Sequence, residues 1–389
     1  MGSICPVTND IELMYIKEDD LEEIYDNFNS EICNATMSTG RVKPTHSRPL
    51  VEDGRSDEQL IREELKFNKK LLNEKEIEKM YDLAIKYKDA FSLRGELGEA
   101  KSLQYEIKIK QDAPSHYKQP YTTSEHEKML MRKEIDKLLK LGIIQPHNTE
   151  YTRFVSPAIL VAKSDRSSRL TIDYRKLNTS LLIDFYSFPK IEDLLLKIGK
   201  LQPKYFGSFD LESSFFQIKL KKSSQNITAF TPYPNHIYSF KRCPQGLSCS
   251  PAALARLCSM VFRHIKNAII YADDLALLGN DKEEYFNQLE LFLKTVHEEG
   301  LKLSLRKSNL FNDNIIFLGH EIRDGFIKPL SKFINSVLKM QTPKDKKELK
   351  RFLASPVAYY LCLFILIVHF FSYWSPIIFL SMDRHSTIE

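Results

Sequence analysis

The run Ala268-Ile269-Ile270-Tyr271-Ala272-Asp273-Asp274-Leu275-Ala276-Leu277-Leu278 sets two adjacent acids inside an otherwise apolar stretch. Both flanks read as buried strands, which puts the acids at the turn of a hairpin on the edge of a core. Neighbouring carboxylates with no basic residue in the run repel one another and resist desolvation unless a cation neutralises them. A divalent metal ion would do so, and a solvent-exposed tight turn is the competing explanation. Tyr205-Phe206-Gly207-Ser208-Phe209-Asp210 is a second aromatic-rich strand, ending in a single acid. Three acids on two adjacent strand ends would suit two Mg2+ ions about 3.5–4 Å apart, clamping the attacking and leaving oxygens of a phosphoryl transfer.

Such acids need strands to aim them and helices to cover the sheet. Short β-rich runs fall at Ala158–Lys163, Arg169–Asp173, Tyr205–Asp210, Ile237–Phe240, Ala268–Tyr271, Leu275–Leu278 and Ile315–Leu318. Helical patterns cover Glu74–Lys88, Ala252–Phe262 and Lys282–Glu299, where Phe286, Leu289, Leu293 and Val296 share a face and Gly300 follows as a C-cap. Another spans Ser124–Leu141, with Ser124 and Glu127 as a capping box, Met131, Ile135, Leu138 and Leu139 as an apolar stripe, and Gly142 as the stop. The irregular alternation predicts an α+β sheet covered on one face by helices. Residues 1–73 lack sustained periodicity and read as a linker or extension.

The 389 residues, 43% hydrophobic and 28% charged, can bury a core in two or three lobes, which excludes wholesale disorder. Six cysteines without paired zinc-ligand spacing, and no charged segment leading into an apolar one at the start, predict a reduced, intracellular, cytoplasmic chain. The formal charge of +5 hides an asymmetry: an acidic leader over residues 1–100 precedes a basic body. That body suits either ordinary solvated surface or a polyanion partner.

Tyr271-Ala272-Asp273-Asp274 resembles the YxDD signature of reverse transcriptases, and other motifs of that family stand around it in order. Upstream, Leu170-Thr171-Ile172-Asp173-Tyr174-Arg175-Lys176-Leu177-Asn178 resembles the fingers motif. Phe209-Asp210-Leu211-Glu212-Ser213-Ser214-Phe215-Phe216-Gln217-Ile218 resembles the first catalytic-Asp motif, and Cys243-Pro244-Gln245-Gly246-Leu247-Ser248 the template-positioning motif. Gly300-Leu301-Lys302-Leu303 through Lys307, and Phe317-Leu318-Gly319-His320, are similar to the next two. FLGH, with Tyr87-Lys88-Asp89-Ala90-Phe91 and Gly142-Ile143-Ile144-Gln145-Pro146, points to gypsy-type LTR retrotransposon Pol polyproteins. The resemblance covers about Ile77 to about Tyr360.

That resemblance implies a right-hand polymerase with fingers, a ferredoxin-like palm and a thumb, adding dNTPs to a primer 3′-OH on an RNA or DNA template. Asp210, Asp273 and Asp274 would be the catalytic and metal set for two Mg2+ or Mn2+ ions. Lys307 would act as general acid toward pyrophosphate. Lys163 and Arg169 would grip the triphosphate, Phe215 would exclude a 2′-hydroxyl, and Gln245 would touch the nucleotide's ribose and the template. Tyr271 with Phe317, Leu318, Gly319 and His320 would position the primer end. On this alignment residues 1–73 are an acidic extension, 74–322 fingers and palm, 323–360 the start of a thumb, and 361–389 an atypical apolar tail.

Three departures qualify the match. No Asp-Ser/Thr-Gly of a retroviral-type protease appears, nor the His/Cys array of an integrase. From Leu361 the thumb resemblance ends, and Val357–Leu380 holds no Asp, Glu, Lys or Arg, long enough to span a bilayer but interrupted by His369, Ser372, Ser375 and Pro376. A membrane partner through this stretch is the less favoured reading. An inactive remnant that still binds nucleic acid is the rival function.

Overall fold

Capping decides where the first helices begin. Ser56 and Gln59 form a capping box that opens α1 (Asp57–Glu64), Asn73 and Glu76 another that opens α2 (Glu74–Lys86), and Ser124 and Glu127 a third that opens α3 (Glu125–Lys140). The computed structural model describes residues 54–147, 152–162, 168–186, 189–323 and 326–331. The described residues up to Lys328 form one compact unit. The expected extension over residues 1–73 is corrected in part, because Leu60 and Ile61 of α1 are buried and Ile61, Leu65 and Leu72 belong to the main core. Their partners are distant in sequence, as where the Asn68 backbone N–H donates to the Phe311 carbonyl, so no local periodicity announced them.

β1 (His116–Tyr117) precedes α3, and after α3 come β2 (Ile144–Pro146), β3 (Phe154–Ala162), β4 (Ser168–Ile172), α4 (Arg175–Asn178) and α5 (Ile191–Leu201). They are followed by β5 (Tyr205–Asp210), β6 (Phe230–Thr231), β7 (Tyr238–Phe240), α6 (Ser250–Phe262), β8 (Ala268–Tyr271), β9 (Asp274–Gly279) and α7 (Lys282–Glu299). The last are β10 (Leu303–Ser304), β11 (Asn309–Asn312), β12 (Asn314–Phe317), β13 (His320–Arg323) and β14 (Phe326–Pro329). One sheet runs β1-β3-β6-β7-β2, with β4 paired to β3; a second runs β8-β9-β5-β11; a third runs β12-β13-β14.

The second sheet is antiparallel throughout, and strand alternation divides its side chains between two faces. Phe209, Leu275 and Leu277 face the main core. There Phe209 lies 4.4 Å from Phe292 of α7, which stacks 5.1 Å from Phe262 of α6. Burying each such ring contributes about 1.5–3 kcal/mol. Phe206, Ile269, Tyr271, Ala276 and Leu278 face a separate cluster with Ile315, Phe317 and Ile322. Ile198 of α5 also joins that cluster, so a helix reaches the face expected to carry none.

Two glycines let α7 come close. A Cβ on Gly207 would lie 2.2 Å from the Tyr285 hydroxyl, and one on Gly279 would lie 2.8 Å from the Tyr285 Cβ. Tyr285 is fully buried, and its hydroxyl donates to the Leu310 carbonyl in β11.

Candidate active site

Asp210 ends β5 and Asp274 begins β9, and the register sets them directly opposite each other. The β8–β9 hairpin pairs Tyr271 with Asp274, leaving Ala272 and Asp273 as a two-residue turn. Ala272 takes a φ of 54°, a left-handed conformation that a side chain disfavours. Alternation puts Asp210 on the face of Phe206 and Ser208, and Asp274 on that same face with Ala276 and Leu278. The two carboxylates therefore share one face at one end of the sheet. Asp210 is buried, Asp274 half-buried and Asp273 exposed at the tip.

A tight turn between β10 and β11 brings Lys307 to the site, where its ammonium lies 3.4 Å from Asp210 Oδ1. Ser308 Oγ accepts from the Asp210 backbone N–H at 3.2 Å, fixing the strand end that bears the carboxylate. Glu212 is buried in the same neighbourhood. Desolvation pushes its carboxyl above the usual carboxylate range, against the opposing pull of Lys307. Among the described residues no three side chains of metal-ligating type are gathered into a cluster. The set that register does bring together, carboxylate oxygen from Asp210 and Asp274 with Asp273 adjoining, is the hard-oxygen chemistry that Mg2+ or Mn2+ prefers.

Arg169, on β4, donates to Gln245 Oε1, so two of the expected nucleotide-binding residues touch each other. Burial pulls the Arg169 guanidinium below its ordinary value. The Gln245 loop is held by Asn178 of α4, which donates from Nδ2 to the Gly246 carbonyl and accepts from the Ser248 backbone N–H, both at 3.0 Å. Gly246, at φ 93°, makes the turn that this loop requires. Phe215 sits half-buried in a short 3-10 helix, Ser214–Gln217, against the main core. Lys163 lies outside the described residues.

Phe317 and His320 pair across a second two-residue turn, Leu318–Gly319, in which both residues have positive φ. Tyr271 and Phe317 are buried in the same apolar cluster, which joins the two hairpins. His320 Nδ1 donates to the Leu318 carbonyl at 2.9 Å, and burial holds its imidazole below the ordinary value.

Residues 161–322 match the reverse transcriptase (RNA-dependent DNA polymerase) family. The chain carries a reverse transcriptase domain. It is 33% identical over 286 residues to the retrovirus-related Pol polyprotein from transposon 412 of Drosophila melanogaster, a match covering 70% of this chain and 22% of that relative. The foamy viral protease-reverse transcriptase in complex with dsDNA matches with a TM-score of 0.66 at 25% identity, over 80% of this chain and 63% of that one. The same enzyme in complex with RNA/DNA hybrid matches at 0.63 and 26%, over 79% and 40%. The fold is the α+β right-hand polymerase.

Within this reverse transcriptase domain, sequence reasoning passed over Glu212, Ser308, Asn178 and Gln217. Gln217 is fully buried; its Nε2 donates to the carbonyls of Glu212 and Lys302, and its Oε1 accepts from the Lys302 backbone N–H at 2.8 Å. Each such bond adds about 0.5–1.5 kcal/mol net, and together they tie the segment after Asp210 to the strand that leads to Lys307. For Gln217 the available signal was a polar residue set between Phe216 and Ile218.

Proposed function

We propose that this chain is an RNA-directed DNA polymerase that extends a primer 3′-OH with deoxynucleoside triphosphates on an RNA or DNA template. The observation that carries the reading is the register pair Asp210–Asp274 on one face of an antiparallel sheet, with Asp273 at the adjoining turn. A duplex partner is taken from the foamy viral neighbours, whose structures hold dsDNA and RNA/DNA hybrid.

Asp210, Asp273 and Asp274 would hold Mg2+ or Mn2+, two ions in the proposed mechanism, which when bound lower the nucleophile's pKa and neutralise charge on the phosphates. Lys307 balances the Asp210 carboxylate and stands ready to give a proton to the leaving pyrophosphate. Arg169 and Gln245, joined to each other, meet the nucleotide's phosphates and ribose, with Lys163 as a second cation. Phe215 occupies the place where a 2′-hydroxyl would clash. Tyr271 and the Phe317–His320 turn share one apolar support and seat the primer end.

The full chain, given a primed homopolymeric RNA template, dNTPs and Mg2+ or Mn2+, is expected to extend the primer. Asp273→Asn should lower the rate at least about a hundredfold, since it removes a charged ligand. Equal rates for the variant and the parent would overturn the site. Among the described residues no helix is long and apolar enough to cross a membrane, and Val357–Leu380 lies outside them.

A further inference from the structure

Beyond Asp210 the backbone makes a tight turn, in which Ser213 takes a φ of 51° and the 3-10 helix Ser214–Gln217 follows. Inside it the Phe216 N–H donates to the Ser213 carbonyl at 2.8 Å, and the Ile218 N–H to the Phe215 carbonyl at 3.1 Å. Phe216 stacks 6.1 Å from Phe240, while Phe215 stays half-buried against the main core. The backbone of the turn therefore governs where the Phe215 ring stands.

One side chain staples that backbone. Gln217 Nε2 donates at 2.7 Å to the carbonyl of Glu212, which opens the turn, and at 2.9 Å to the Lys302 carbonyl. Its Oε1 accepts from the Lys302 N–H at 2.8 Å. Both amide hydrogens and the amide oxygen are used, a combination that neither a carboxylate nor a thioether can copy. The Lys302 carbonyl also accepts from the Glu212 N–H at 2.9 Å, so the two ends of the turn and the segment leading to β10 are tied together. Gly98 lies against this knot. A Cβ there would stand 2.2 Å from Gln217 Oε1 and 2.7 Å from the Lys302 nitrogen, so a methyl would wedge between the two atoms that bond. The φ of Gly98 is outside the left-handed range, which makes glycine a requirement of space at this position. The Ala100 N–H, donating to the Gln217 carbonyl at 2.9 Å, holds the segment that brings Gly98 in. Gly98 falls outside residues 161–322, the part of the chain that matches the family.

We propose that Gln217, locked by Gly98 and Lys302, is a positioning residue for sugar selection: it sets the place of the Phe215 ring and so the discrimination between deoxyribonucleotides and ribonucleotides. This rests on the reading of Phe215 as the group that a 2′-hydroxyl would meet. A steric filter is only as sharp as the backbone that carries it, so loosening the turn relaxes selection while the ring itself remains.

The test uses the full chain on primed poly(rC), with dGTP or GTP as substrate, and reads kcat/KM for each. The ratio of the two cancels any loss of folded protein, which lowers both alike. Gln217→Met keeps the length of the side chain and removes its three hydrogen bonds. Gly98→Ala leaves Gln217 in place and wedges it from the other side, so either variant alone can answer. Each should raise use of GTP relative to dGTP about threefold or more, short of the roughly tenfold expected of Phe215→Val. Added to Phe215→Val, each should move the ratio less than about twofold, because the ring they position is gone. Unchanged ratios in Gln217→Met and Gly98→Ala beside a raised one in Phe215→Val would overturn the role of Gln217 and leave the gate standing. Equal increments with and without the Phe215 ring would overturn it too, by showing that Gln217 acts elsewhere. An unchanged ratio in Phe215→Val would remove the gate, and this inference with it.

Discussion

The β8–β9 hairpin of the second sheet and the β12–β13 hairpin of the third share a plan and differ in how their turns are made. Tyr271-Ala272-Asp273-Asp274 and Phe317-Leu318-Gly319-His320 each close on a two-residue turn, and each sets a buried aromatic residue of one apolar cluster before it. Leu318 and Gly319 both have positive φ, the type I′ pattern that matches strand twist, with glycine where glycine is favoured. In the other hairpin Ala272 alone has positive φ, a type II′ pattern whose first central position favours glycine. An alanine carries the strain there, and acids fill the next two positions. A turn that departs from its favoured residues while placing charge at a sheet edge is what the proposed function asks of a reacting site, and the turn that keeps its glycine is what it asks of a support.

If that division of labour is right, Phe317→Ala should destabilise the protein by about 3–5 kcal/mol through the cavity it opens beneath both turns. Denaturant unfolding would read this, and a loss under 1 kcal/mol would remove the supporting role. Asp274→Asn should do the reverse, leaving the unfolding midpoint nearly unchanged while primer extension falls at least about a hundredfold. Unaltered extension would make the first hairpin another support. Gly319→Ala, forced to φ 78°, should cost about 1–2 kcal/mol, with extension declining only as far as folded protein is lost.

Ala272→Gly sharpens the comparison further, since relief of the left-handed strain is offset by the flexibility that glycine adds to the unfolded chain. A net gain below about 1 kcal/mol is expected, and a loss would mean that the Ala272 methyl contributes more by packing than it costs in strain. The smallest effect concerns His320. Its folded pKa is depressed from 6.5 by burial, so the unfolded state binds the proton more readily. The stability contributed by the neutral ring is present above about pH 6.5 and is lost as pH falls through the folded value. His320→Gln should flatten only part of the acid-side loss seen in thermal midpoints, because burial also depresses His116 and His147. An unchanged slope would show that His320 is not titrating on unfolding.

Strong periodicity and sharp ends made much of this legible. β5, β8 and α7 have the residues that the patterns of Tyr205–Asp210, Ala268–Tyr271 and Lys282–Glu299 predict, because aromatic runs, an acidic strand end and Gly300 bound them. Strand edges elsewhere moved by a few residues, as with β3, which starts at Phe154 where the pattern suggested Ala158. α1 escaped notice although Ser56 and Gln59 were a readable capping box, since eight residues give little room for a repeating stripe. The groups that hold the site were harder. Gln217 meets Lys302, and Asn178 meets the Gln245 loop, across long stretches of sequence that no local pattern spans. The resemblance supplied types for the reacting residues and said nothing of what fixes them.

Tyr285 against Gly207 and Gly279 has a consequence for how this sheet can vary. One side chain on the helix fills the room left by two missing ones on neighbouring strands, and its hydroxyl is anchored to a third strand. The three positions therefore form an epistatic set. A lone methyl at 207 meets an immovable oxygen, and a lone reduction at 285 opens a void under the strand that ends in Asp210. Diverging lineages would have to change these sites in concert or leave them alone, so related sequences that gain a side chain at 207 should carry a smaller residue at 285.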